Sequence, residues 1–167
     1  PSVPKLGCYH DCGQLPFRFL VVWRDGSGLG DDGDQGGIRG RIVEADGTPV
    51  GPEFQINSTT QGDQRRPSVT TVISGTECAA FVVWECDSGV GDDNDGSAIR
   101  GRLFDYTGIP LNVNGASDDF VINGTVQGDQ RRPSVTRAPY STHALVVWED
   151  WSQTGGDISG SAIRGRY

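Results

Sequence analysis

The densest chemistry in this sequence lies in loops crowded with aspartate. Asp31-Asp32-Gly-Asp34, Asp92-Asp93-Asn-Asp95-Gly-Ser97 and Asp157-Ile-Ser159-Gly-Ser161 each follow a tryptophan after a short interval. Alternate residues, Asp32 with Asp34, Asp93 with Asp95 and Asp157 with Ser159, turn their oxygens to one side of a loop. A hard cation takes about 6–8 oxygen ligands, so Ca2+ is the cofactor such loops would hold. An EF-hand is excluded, because no acidic residue stands at the twelfth position. The competing account is a solvated turn, since Asp and Gly both tolerate left-handed backbone.

Arginine forms the second pattern. Ile-Arg-Gly-Arg occurs at residues 38–41, 99–102 and 163–166, so Arg39 and Arg41, Arg100 and Arg102, and Arg164 and Arg166 each share one face of a strand. One reading is a ladder of sites for acidic glycans, with the glycine letting a ligand or a partner backbone approach closely. The other is cross-strand ion pairing with Glu85, Glu149 or Asp25. Thirteen Arg against the single Lys5 fit either, because guanidinium offers a planar two-pronged fork.

Cysteine and asparagine give smaller signals. From Pro1 to Trp23 the chain runs 22 steps, against 17 from Pro67 to Trp84 and 15 from Pro133 to Trp148. Cys8 and Cys12 sit in the excess of the first interval, which predicts a Cys8–Cys12 disulfide; a metal held by Cys8, His10 and Cys12 fits no usual zinc spacing. Cys78 and Cys86 bracket an extended run and lie about 26 Å apart if it is straight, too far to pair. Asn57-Ser-Thr59 and Asn123-Gly-Thr125 are glycosylation sequons at equivalent places. No motif assembles a nucleophile and base: His10 and His143 are the only histidines, and neither lies in a known catalytic signature.

These residues must be carried by short strands. Apolar residues make up 35% of the 167, there are 25 glycines and no methionine, and no segment repeats apolar residues at helical spacing. The net charge of −8 argues against nucleic acid as a partner, and no apolar run is long enough to span a membrane as a helix. The chain opens on Pro1 with no signal peptide, so it reads as processed or as a piece of something longer.

Self-repetition sets the architecture. Gln61-Gly-Asp-Gln-Arg-Arg-Pro-Ser-Val-Thr70 recurs unchanged at residues 127–136, which divides the chain into a repeat at 1–66, a second at 67–132 and a truncated third at 133–167. Each full repeat reads as four strands: Pro-Ser-Val, Val-Val-Trp, Ile-Arg-Gly-Arg and Phe-x-Ile-Asn. Val82 and Trp84 point to one side and Phe81 and Val83 to the other, so the sheet is covered on both faces. The expected fold is all-β: tandem four-stranded antiparallel sheets, either β-propeller-like blades or a stacked-sheet array, about two and a half repeats long.

The order Val-Val-Trp, Asp/Gly loop, Ile-x-Gly-x, Asp-Gly turn, Phe-x-Ile-Asn resembles the repeats of large secreted bacterial proteins of the hemolysin or adhesin type. That resemblance implies propeller-like blades and an extracellular or cell-surface location. The chain is then expected to be a non-catalytic structural or adhesive module, not an enzyme, completed by self-association or by further repeats of a parent chain. The alternative expectation is a lectin-like binder of acidic glycans, and a third is a sialidase-like hydrolase fragment.

Overall fold

The structure, a computed structural model, describes residues 5–8, 18–28, 35–74, 77–89, 91, 93–113, 115, 118–138, 141–156 and 158–167, with backbone alone at 5–8, 74 and 77. Eleven strands and no helix lie among them. β1 (Lys5–Cys8), β2 (Arg18–Asp25), β3 (Gly37–Glu44) and β4 (Pro49–Gln55) form the first antiparallel sheet in chain order. β5 (Asp63–Ser74), β6 (Glu77–Asp87), β7 (Ala98–Phe104) and β8 (Phe120–Val121) form the second, and β9 (Gln130–Arg137), β10 (Ala144–Asp150) and β11 (Ala162–Arg166) the third. β5 packs beside both β1 and β9, so the first strands of the sheets meet at a common inner edge. That is the all-β, blade-like arrangement the repeat predicts. Among the described residues no helix is long and apolar enough to cross a membrane.

Strand alternation fills two interfaces. Leu20, Val22, Ile38, Ile42 and Ile56 of the first sheet meet Ala80, Val82, Trp84 and Phe104 of the second. On the other face of the second sheet, Val83, Ile99 and Ile122 meet Val135, Val146 and Trp148 of the third. Trp84 is fully buried; at roughly 25 cal/mol per Å2 over 150–250 Å2, such a ring contributes on the order of 4–6 kcal/mol before entropy is counted. Trp23, which closes the same Val-Val-Trp run in the first repeat, is only half-buried, because it lies on the face of the first sheet that no described sheet covers.

The glycine of Ile-Arg-Gly-Arg admits neither ligand nor partner backbone at the first two sites. A Cβ on Gly40 would stand 2.8 Å from Cδ1 of Ile56, and one on Gly101 would stand 2.8 Å from both Ile122 and Phe81. The space is taken by the isoleucine of Phe-x-Ile-Asn folding back over its own sheet.

One further expectation changes. Pro67 and Pro133 do not open their strands. They sit inside β5 and β9, where Arg66-Pro67 opposes Trp84 alone and Arg132-Pro133 opposes Trp148 alone, a two-against-one β-bulge that needs no N–H from proline. Cys78 is disulfide-bonded, and Cys86, at the far end of β6, is free and buried. The expected Cys8–Cys12 pairing falls outside the described residues, which hold only the backbone of Cys8.

Candidate functional site

The strand-centre arginines are taken up inside the scaffold. Arg39 pairs with Glu53 (3.2 Å) and Arg164 with Asp150 (3.3 Å). Arg100 pairs with Asp119 (2.7 Å), where the two side chains are 7% and 1% exposed. Arg102 donates to the carbonyl of Ile56 and Arg166 to that of Ile122, each reaching across to the preceding sheet. Arg41 donates to the carbonyl of Gly51. None meets Glu85, Glu149 or Asp25, and register explains the two glutamates. Glu85 lies opposite Ile99 and Glu149 opposite Ile163, on the faces away from Arg100 and Arg164.

Asp119 fastens the second sheet to the first. It accepts from the backbone N–H groups of Ser58 and Thr59, from the Thr59 hydroxyl and from Arg100. Burial pushes its carboxyl pKa up, but those hydrogen bonds and the Arg100 charge outweigh burial and hold it below the ordinary value.

The sequons are structural as well, which corrects the glycosylation expectation. Asn57 and Asn123 are buried, and their Oδ1 atoms accept from the N–H of Ile38 and Ile99. Each Nδ2, the atom a glycan would occupy, donates to the carbonyl of Thr59 or Thr125 and to Gln64 or Gln130. The glutamine of Gly-Asp-Gln-Arg-Arg, Gln64 or Gln130, thus pins each sheet to the next.

Of the acidic loops, Asp32, Asp34 and Asp157 lie outside the described residues. Asp93 is buried; its Oδ2 accepts from Asn123, and its Oδ1 meets no donor. Asp95 is exposed and accepts from the N–H of Gly128. Among the described residues no three acidic, His or Cys side chains converge as a metal site would require.

What converges instead is the pair of arginines in the unchanged decapeptide. Arg65, Arg66, Arg131 and Arg132 line a cleft of about 310 Å3 with Glu85, Glu149 and Trp151. The cleft opens where β5 and β9 begin and β6 and β10 end, beside the common inner edge. Arg66 and Arg132 both have φ of 53°, in the left-handed region, immediately before a proline. That conformation is disfavoured for any residue carrying a Cβ and again by the following proline ring, costing roughly 1–3 kcal/mol. Two copies of the same strained conformation thus stand at one cleft.

Glu85 anchors the cleft. Its side chain is wholly buried and accepts from Nε of Arg65 (2.7 Å), Nη1 of Arg66 (2.6 Å) and the backbone N–H of Arg132 (3.1 Å), the group freed by the second bulge. Burial works against the Arg65 charge, but Glu85 and then Asp63 outweigh it and raise its pKa further. Glu149 accepts from Nη1 of Arg132 (2.8 Å), and this bond raises the Arg132 pKa. The guanidinium-bearing side chains stay partly open, Arg66 at 46%, Arg131 at 42% and Arg132 at 61% exposure. Trp151 stands at the rim with 44% exposure.

A larger cleft, of about 480 Å3, lies between the second and third sheets among Phe81, Phe120, Ile122, Val146 and Arg166. Its counterpart between the first two sheets is occupied by Phe104, whose ring packs on Phe54 at 5.8 Å beneath Arg102. This space belongs to sheet packing.

The arginines that converge belong to the unchanged decapeptide and not to Ile-Arg-Gly-Arg. The usable signal was strict identity: ten residues unchanged between repeats whose other parts differ at most positions. No protein-family model and no curated protein matches the sequence. Over 98% of its length the chain is similar to a solved structure titled "GH43 Endo-Arabinanase from Bacillus licheniformis", with a TM-score of 0.49 and 13% identity. It spans about half of that protein, 52% of its chain. By its title that neighbour is an endo-arabinanase, which runs against the expectation of a non-catalytic adhesive module that is not an enzyme; at such identity and TM-score the likeness brings no activity to this chain.

Proposed function

We propose that this protein binds acidic carbohydrate in the cleft between Arg65, Arg66, Arg131 and Arg132. The observation that carries the reading is the convergence of four arginines from two successive repeats, two of them held in strained backbone, beside a half-exposed tryptophan. The cleft is lined by four guanidinium groups and two carboxylates, and Asp63, Asp87 and Asp129 pair with Arg65 and Arg131 at its border, so an entering anion competes with these carboxylates for the exposed guanidinium faces. Guanidinium forks bind planar anions through paired hydrogen bonds, and an exposed indole offers an apolar face to a sugar ring. At about 310 Å3 the cleft lies at the small end of ligand pockets, suited to one or two sugar units.

Titration with an acidic polysaccharide, a neutral one of matched length and rising salt tests this. Saturable, salt-sensitive binding that falls in Arg66→Gly and Arg132→Gly is the expected result. Equal binding of the neutral chain, or unaltered binding in both variants, would end the proposal. Assaying the bound glycan for newly released reducing ends tests hydrolysis in the same tube.

A further inference from the structure

The cleft contains one arrangement made twice. Arg66 and Arg132 share a φ of 53°, each precedes a proline, and each Arg-Pro pair opposes a single tryptophan, Trp84 or Trp148. Each sends Nη1 to the glutamate that follows that tryptophan, Arg66 to Glu85 at 2.6 Å and Arg132 to Glu149 at 2.8 Å. Among the described residues no other side-chain nitrogen of either arginine meets an acceptor. Arg66 stays 46% exposed although its sheet has a neighbour on each face, so this opening to solvent belongs to the repeat itself.

The two copies are also fastened to each other. Oε2 of Glu85 accepts from Nη1 of Arg66 and, at 3.1 Å, from the backbone N–H of Arg132. One buried carboxylate oxygen thus ties the guanidinium of one repeat to the backbone of the next, and the strands that carry them, β5 and β9, pack side by side. The interval between the two bulges is set by the fold.

Resting on the acidic-carbohydrate reading above, we propose that the ligand is a polymer with an anionic group on successive units, and that Arg66 and Arg132 take one such group each. A single acidic sugar would use one arginine; a fixed pair of equivalent arginines suits a chain whose charges also recur at a fixed interval. The open side of each guanidinium, away from its glutamate, supplies the donors. Once the first unit is bound, the second meets its arginine at a high effective concentration. Two joined weak contacts then exceed either alone by about a hundredfold or more, with no new kind of contact.

The test is calorimetric titration at constant ionic strength with galacturonic acid and its oligomers of two to six units, and with sulfated malto-oligosaccharides of the same lengths. Affinity is expected to rise by about tenfold or more between one unit and two in at least one series. That length dependence is read on the parent protein alone. Arg66→Gly and Arg132→Gly should each abolish the step, while binding of the single unit falls only about twofold, because one of two equal sites remains. Arg41→Gln removes the same charge outside the cleft and should keep the step. A single unit binding as tightly as the longer chains, a step that survives either cleft variant, or a step lost equally in Arg41→Gln overturns the paired subsites and leaves the acidic-carbohydrate reading in place. Binding by no member of either series overturns both together.

Discussion

Arginine plays opposite parts in two regions of this protein. At strand centres Arg100 and Arg102 are drawn into the sheet interface, one against a buried carboxylate and one against a backbone carbonyl of the neighbouring sheet. At the bulges Arg66 and Arg132 are held in costly backbone with much of their side chains in solvent. The first set fastens the sheets together. The second set supplies partners to the buried Glu85 but leaves much of each guanidinium-bearing side chain open to a ligand. Residue type alone does not separate them; burial and backbone conformation do.

The largest expected effect breaks the first set. Asp119→Ala removes the partner of a nearly buried guanidinium and the acceptor for three donors of the 58–59 turn. Losing one member of a buried pair costs about 3–5 kcal/mol, measurable by denaturant unfolding, with glycan affinity of the folded fraction unchanged. The acid limb should change too. Because the Asp119 pKa is lowered on folding, its stabilisation is complete above the ordinary carboxylate value and is lost as pH falls through the lower folded value. The variant should lack that part of the acid dependence; an identical acid limb would show that Asp119 does not carry it.

Next comes Gly101→Ala. The added methyl meets Ile122 and Phe81 at 2.8 Å, so the interface must shift, at about 1–3 kcal/mol. Gly124→Ala, with open space around its Cβ, is the control. Equal melting temperatures for the two would remove the close-packing account of Ile-Arg-Gly-Arg.

A smaller and opposite effect is expected at the bulge. Arg132→Gly keeps the backbone N–H that serves Glu85 and relieves the left-handed strain, so the protein should hold or gain melting temperature. Its glycan binding should fall. A variant that loses stability as well would place Arg132 with the strand-centre set.

How far the sequence revealed this division follows from what periodicity can carry. Alternation in Ala80–Trp84 predicts which side chains face each neighbour, and the structure places Val82 and Trp84 against one sheet and Val83 against the other. Alternation also assigns Arg100 and Arg102 to one face, but not what stands across from them. Asp119 lies outside any strand, near 58–59 only through tertiary packing. The bulge at Arg66-Pro67 was hidden for a related reason: a proline in an extended run reads as a strand start until the partner strand supplies the two-against-one pairing. The sequons misled because Asn-x-Thr describes a turn equally well when the amide is turned inward.

The smallest effect separates the acidic loops from both arginine sets. Asp93 is buried beside an amide nitrogen already shared with Thr125 and Gln130, and its other oxygen has no donor. Burial is the main cause that raises its pKa, ahead of the Asn123 and Asp95 hydrogen bonds that lower it. A carboxyl whose folded pKa is raised binds protons more readily in the folded state. It therefore favours folding at low pH, and that contribution is lost as pH rises from the unfolded value through the folded one. At neutral pH an ionised Asp93 is a burden, and Asp93→Asn should raise the melting temperature by a few degrees while leaving it little changed near pH 4. Calcium reverses the prediction. If the loop holds the cation with Asp93 as a ligand, the parent should gain melting temperature with added Ca2+ by mass action, and Asp93→Asn should lose that gain. Melting curves of both proteins in chelator and in excess Ca2+ at neutral pH decide between them. A variant more stable than the parent in both conditions makes the loop a solvated turn around an uncomfortable carboxylate; a parent stabilised by Ca2+ and a variant indifferent to it makes the loop a metal site.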